Sequence, residues 1–155
     1  MMAGAVTLKI DGLREMDAAL GELSKATAKN TLIRVGKAAL QPMADLTNRL
    51  APDDPETGGN DLSGSYIVST KLNPRQKALA KKEPKDFATV YMGTNDPAGL
   101  QQELGNVNHG PQPHIRPAFE QEAEATIQRV ADGLRPEIDK AAARARARAL
   151  RKVGA

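Results

Sequence analysis

Between Gln102 and Phe119 the chain reads Gln-Glu-Leu-Gly-Asn-Val-Asn-His-Gly-Pro-Gln-Pro-His-Ile-Arg-Pro-Ala-Phe, with prolines at 111, 113 and 117 and glycines at 105 and 110. Proline fixes φ and pushes the residue before it into an extended conformation. Neither a helix interior nor a sheet interior tolerates that density. The stretch is therefore expected to be a rigid, irregular arm leading into a helix, with Pro117 as the first helical residue. It holds a backbone path and contains no set of groups arranged for chemistry.

The segments before the arm carry simple periodicities. Val6, Leu8 and Ile10 alternate with Thr7 and Lys9, which predicts a short strand, and Asp11 is placed to cap the next helix. In that helix Leu13, Met16, Leu20 and Leu23 step by three and four, as an amphipathic helix requires. A second helix is expected from a cap at Asn30 or Thr31, with the stripe Leu32, Val35, Ala39, Met43, Leu46 and Leu50. Pro42 inside it should kink or break it. Residues 51–61 read as a loop by composition. Leu62 to Leu72 and Phe87 to Met92 read as strands, with Tyr66–Leu72 and Phe87–Met92 pairing as a hairpin, and residues 73–86, lysine-rich with Pro74 and Pro84, as the exposed connection between them. Ala98 to Leu104 fits a short helix or an irregular strand. After the arm, Pro117 to Leu134 is expected to be a helix with the stripe Phe119, Ala123, Ile127, Val130 and Leu134, interrupted at Pro136 and resumed from Glu137 to Lys152. The fold class is α+β: a small antiparallel sheet packed by N-terminal helices and a long C-terminal helix. One domain over 1–135 carries a basic helical extension over 136–155.

Four aromatics in 155 residues, no tryptophan and an alanine-heavy apolar fraction make a thin core. Small side chains bury little area, so stability shared with neighbouring subunits is expected. The absence of cysteine excludes disulfides, thiolate metal sites and cysteine nucleophiles. No apolar run reaches the length of a membrane helix, and Met1 to Ile10 lacks the features of a secretory signal, so a cytoplasmic protein with no membrane partner is expected. The chain carries 22 basic and 19 acidic residues; six of the basic ones (Lys140, Arg144, Arg146, Arg148, Arg151, Lys152) and no acid lie in residues 140–155, so the rest is slightly acidic.

The motifs in chain order resemble the tail-completion, or head–tail joining, family of tailed bacteriophages. The matching positions are Ala51-Pro52, Thr57-Gly58, Leu62-Ser63-Gly64-Ser65, Glu103-Leu104-Gly105 and the arm Pro111-Gln112-Pro113-His114-Ile115-Arg116-Pro117-Ala118. The likeness covers roughly residues 10 to 135. Asn106 stands where the family has threonine, and His114 where it has an apolar aromatic. The resemblance implies a non-enzymatic virion structural protein at the head–tail junction, made in the host cytoplasm and then built into the neck or tail. Its implied partners are copies of itself in a ring-like oligomer and other neck and tail proteins, with nonspecific contact to packaged DNA also allowed and no cofactor. The predicted protein-interface residues are Glu103, Gly105, Pro111, Pro113, His114, Arg116 and Pro117, with the loop at 51–61 as a second docking surface.

Other chemistries find weak support in the residues. His109 and His114 are the two histidines, and a metal would need further converging ligands beyond Glu103. Asp53, Asp54, Glu56 and Asp61 lack the spacing of a calcium loop, which Pro55 interrupts. Ser63 and Ser65 have no histidine partner in sequence, and the glycine runs lack a phosphate-loop lysine. Arg116, at a helix start where cations are disfavoured, is expected to face a carboxylate, either Glu103 or one on a partner. The cluster Arg144, Arg146, Arg148, Arg151 and Lys152 suits a solvated helix end, an acidic partner or nucleic-acid phosphates. A small nucleic-acid-binding protein acting through this tail is the alternative reading.

Overall fold

The computed structural model describes residues 13–21, 23–53, 56, 62–81 and 88–153. Its elements are α1 (Leu13–Gly21), α2 (Lys25–Leu50), β1 (Ile67–Ser69), α3 (Pro74–Ala80), β2 (Tyr91–Gly93), α4 (Ala98–Leu104) and α5 (Ile115–Val153). The fold is α+β: a two-stranded antiparallel sheet packs on α2, and α5 packs along both α2 and α1. The predicted strand at Val6–Ile10, the Asp11 cap and most of the 51–61 loop lie outside the described residues.

Helix α2 starts earlier than the periodicity suggests. Its N-cap is Ser24, whose hydroxyl accepts from the Thr27 amide, rather than Asn30 or Thr31. It also runs through Pro42 to Leu50. Proline deletes one backbone donor, but Ala39, Met43 and Ala44 around it are buried, and packing on both sides holds the helix together. The same correction applies to Pro136. Helix α5, 39 residues long, continues through it, with Leu134 and Ala141 buried on either side.

The two long helices run antiparallel, as shown by Arg34 meeting Glu137 while Ala51 lies near Ile115. Their seam is built from small residues. Val35 packs on Ala131 and Leu134, with Leu32, Val130 and Ile138 around them. Gly133 has no room for a side chain, because a Cβ there would sit 2.7 Å from Val35 Cγ1. Ala28, Ala39, Ala118 and Ala141 are buried as well. The α5 stripe differs at its start: Phe119 is 58% exposed and its neighbour Ala118 is buried.

The hairpin is real but shorter than its apolar runs. Ile67, Val68 and Ser69 pair with Gly93, Met92 and Tyr91. Leu62–Ser65 is a turn rather than strand, with Gly64 at φ +91°. Residues 74–80 of the expected irregular connection form α3, because Asn73 and Gln76 make a reciprocal capping box and Pro74 sits in the first turn. Ala98–Leu104, which fits either helix or strand by sequence, is α4. Among the described residues no helix is long and apolar enough to cross a membrane.

Candidate functional site

Glu103 fastens the arm. From the last turn of α4 its carboxylate reaches the start of α5, where Oε2 accepts from the His114 amide at 2.7 Å and the Ile115 amide at 2.8 Å, and Oε1 from the Arg116 amide at 3.1 Å. A helix start leaves its first amides without intrahelical partners. Here one carboxylate takes the three that exist, and the next residue, Pro117, has none to offer. The first intrahelical bond then runs from the Ala118 amide to the His114 carbonyl. Helix α5 therefore begins at Ile115, two residues before the expected start, and Pro117 is its third residue.

The electrostatics follow from that geometry. Burial pushes the Glu103 carboxyl up, but the amides of 114, 115 and 116 and the nearby His114 outweigh burial and hold it below the ordinary glutamate range. An anion at a helix N-terminus also meets the positive end of the helix dipole.

The arm is closed by backbone geometry. Gly105 has φ +77°, and a Cβ on it would lie 2.8 Å from the Pro111 nitrogen. The Gln112 amide donates to the Gln102 carbonyl at 2.6 Å, tying the arm back onto α4. Between these ties the Asn106 side chain accepts from the amides of Asn108 and His109. His109 stays within this loop, with Nε2 facing the Asn106 amide group at 3.0 Å and Nδ1 facing the Gly110 carbonyl at 2.9 Å.

His114 sits underneath, with no exposed surface. Its Nδ1 lies 3.1 Å from the Gln112 carbonyl and 3.5 Å from Glu103 Oε2, while Nε2 lies 2.6 Å from the Tyr66 hydroxyl. A carbonyl can only accept, which places the proton on Nδ1 and lets Tyr66 donate to Nε2. The rings meet edge to face at 5.4 Å. Burial, with the charges of Glu103 and Asp96, pushes the Tyr66 hydroxyl up to about 12, so it remains a donor. Gly99 leaves space for that hydroxyl, since a Cβ there would meet it at 2.8 Å.

Asn48, on the last turn of α2, completes the lock. Its Oδ1 accepts from the amides of Gly64 and Tyr66, and its Nδ2 donates to the Tyr66 carbonyl. Ser63 Oγ donates to the Asn48 carbonyl, and Ser65 Oγ bonds Leu62 and Thr94. Both hydroxyls serve the turn.

The structure thus joins Glu103 and His114 of the predicted set in one buried cluster, with Gly105 and Pro117 half-buried. Pro111, Pro113 and Arg116 remain on the surface. Arg116 does meet Glu103, but through its main-chain amide rather than its guanidinium. Tyr66, Asn48 and Gly99 were not foreseen. Their hydrogen-bond partners across the fold lie 15 to 48 positions away, beyond any local spacing rule. Of the acidic loop, Asp53 and Glu56 are described and exposed. Arg144, Arg146, Arg148, Arg151 and Lys152 are exposed along the end of α5. Among the described residues no group of three His, Asp or Glu side chains converges to hold a metal. Comparison with protein-family models, curated proteins and solved structures returns no match.

Proposed function

We propose that this chain is a non-enzymatic structural protein of a tailed-phage particle, acting at the head–tail junction in tail completion and head–tail joining. One observation carries this reading. Three of the five sequence elements behind the family resemblance, Leu62–Ser65, Glu103-x-Gly105 and Pro111–Ala118, converge into a single polar lock that fixes the arm against the body. The polar groups that could serve chemistry, Glu103, His114 and Tyr66, are occupied in holding main chain and one another. What remains for partners is shape: exposed Pro111, Gln112, Pro113 and Arg116 on a fixed path.

Assembly in several copies also has support. Leu100, Leu104, Val107 and Phe119 lie in or beside the arm in sequence and are between 58% and 99% exposed. Apolar surface of this kind gains from being covered by a neighbouring subunit.

The test is electron microscopy of an induced lysate lacking this gene. Full heads beside separate, finished tails are expected, and intact infectious particles would overturn the reading. Complementation with Pro111→Gly/Pro113→Gly, which loosens the arm, is expected to lower particle yield while leaving helical content unchanged.

A further inference from the structure

The basic end of α5 does not stand alone. Residues 25–44 carry Lys25, Lys29, Arg34 and Lys37 with no acid, and residues 140–155 carry six cations with no acid. Antiparallel packing brings these two stretches to the same end of the molecule, a juxtaposition hidden in the sequence by more than a hundred residues. The two stretches hold ten of the 22 cations and none of the nineteen acids. Helix α1, which also packs on α5, adds one cation and two acids (Arg14, Glu15, Asp17) and offsets little of this.

The charges are also ordered by face. Residues on an α-helix turn by about 100° each, so Lys140, Arg144, Arg148 and Arg151 fall within about 80° of arc. Glu137 shares that arc and pairs with Arg34 of α2 at 3.0 Å, which sets the arc beside Arg34; Lys37 lies about 160° around α2 from Val35, which faces α5, and so points away from the arc. Asp132, Asp139, Arg135 and Arg146 point to the opposite face by the same geometry. The acid within the stripe, Glu137, is already held by Arg34 and by Lys140 at 3.5 Å. Arg34 and Lys140 still expose 65% and 61% of their side chains.

We infer that Arg34 of α2, with Lys140, Arg144, Arg148 and Arg151 of α5, forms one surface for the phosphate backbone of double-stranded DNA. The α5 part spans about 16 Å, with a cation roughly every 6 Å, matched to a polyanion that carries a charge about every 1.7 Å of duplex. The surface holds no aromatic side chain: α2 has none, and Phe119 is the last in α5. Single strands are bound by aromatic stacking, so a duplex fits better. An anionic membrane fits poorly, because the alanine-rich remainder of this helix offers only Leu150 and Val153 as large apolar groups after Ile138. The inference is independent of the head–tail reading.

The test is binding of the full chain to a short fluorescein-labelled duplex of mixed sequence, measured from low to physiological salt. Arg34→Ala is expected to weaken binding at low salt and to reduce the salt slope by about 1, and Arg144→Ala/Arg151→Ala to weaken it by at least about tenfold and to reduce the slope by about 2. Arg135→Ala/Arg146→Ala removes the same charge from the opposite face and is expected to leave the slope unchanged. Circular dichroism confirms that each variant is folded. Absence of duplex binding at low salt overturns the proposal. So does equal loss in all three variants, an α2 variant that binds like wild type, or tighter binding to single strands or to phosphatidylglycerol vesicles.

Discussion

The two ends of this molecule are held by different physics. At the arm, a handful of polar side chains each bind several main-chain groups: Glu103 takes three amides and Asn48 three groups of the turn. Along α2 and α5, stability comes from many small apolar contacts, with Val35 set against Gly133 and Ala131. The first arrangement specifies a shape and fails when one group is lost, because buried donors are left unpaired. The second spreads its energy and tolerates substitution at its rim.

The largest effect is expected at the cap. Glu103→Ala strands three amides and should cost about 2–4 kcal/mol, measured by chemical denaturation. A loss no greater than an ordinary surface substitution would break the contrast. Its pH dependence sharpens it. The Glu103 carboxyl titrates lower when folded than unfolded, so its stabilisation is complete above about pH 4.3 and fades as pH falls through the folded value. The stability gap between wild type and Glu103→Gln should therefore narrow steadily below about pH 4.

Gly105→Ala comes next. The positive φ and the 2.8 Å approach to Pro111 combine strain with a clash against backbone that cannot yield. About 1–3 kcal/mol should be lost, read as a fall in Tm. In the helix pair the matching change is Gly133→Ala. The new Cβ meets Val35, but helix propensity improves by about 1 kcal/mol, so the net loss should be near 1 kcal/mol. Adding Val35→Ala should bring no further loss from the clash, and a double-mutant cycle measures the coupling. The smallest effect belongs to Arg34→Ala. Its side chain is 65% exposed in the ion pair with Glu137, and its loss should move the denaturation midpoint least of the four.

The same division explains what could be read from the sequence. The helical stripe of α2 was legible because Val35, Ala39 and Met43 recur at helical spacing and are buried. The hairpin was legible in outline from its β-branched residues. Pro42 and Pro136 misled because local rules assign a proline its cost but carry no knowledge of the partner helix that offsets it. Phe119 misled because apolar spacing does not say which of two adjacent residues, Phe119 or Ala118, turns inward. At the arm, Glu103 and the proline path were visible, but not what joined them. A capping box links residues three apart, whereas Glu103 caps amides 11 to 13 positions away. Tyr66 and Asn48 carry no local signal, since their roles exist only once the turn is folded against α2.

The most direct measurement is amide hydrogen exchange by NMR on wild type and Glu103→Ala. In wild type the Ile115 and Arg116 amides should be protected despite lacking intrahelical partners. In the variant that protection should vanish, while the amides of Val35, Ala39 and Ala131 keep theirs. Unchanged protection at 115 and 116 would mean that something other than the Glu103 carboxylate holds the arm, and Glu103 would not be its lock.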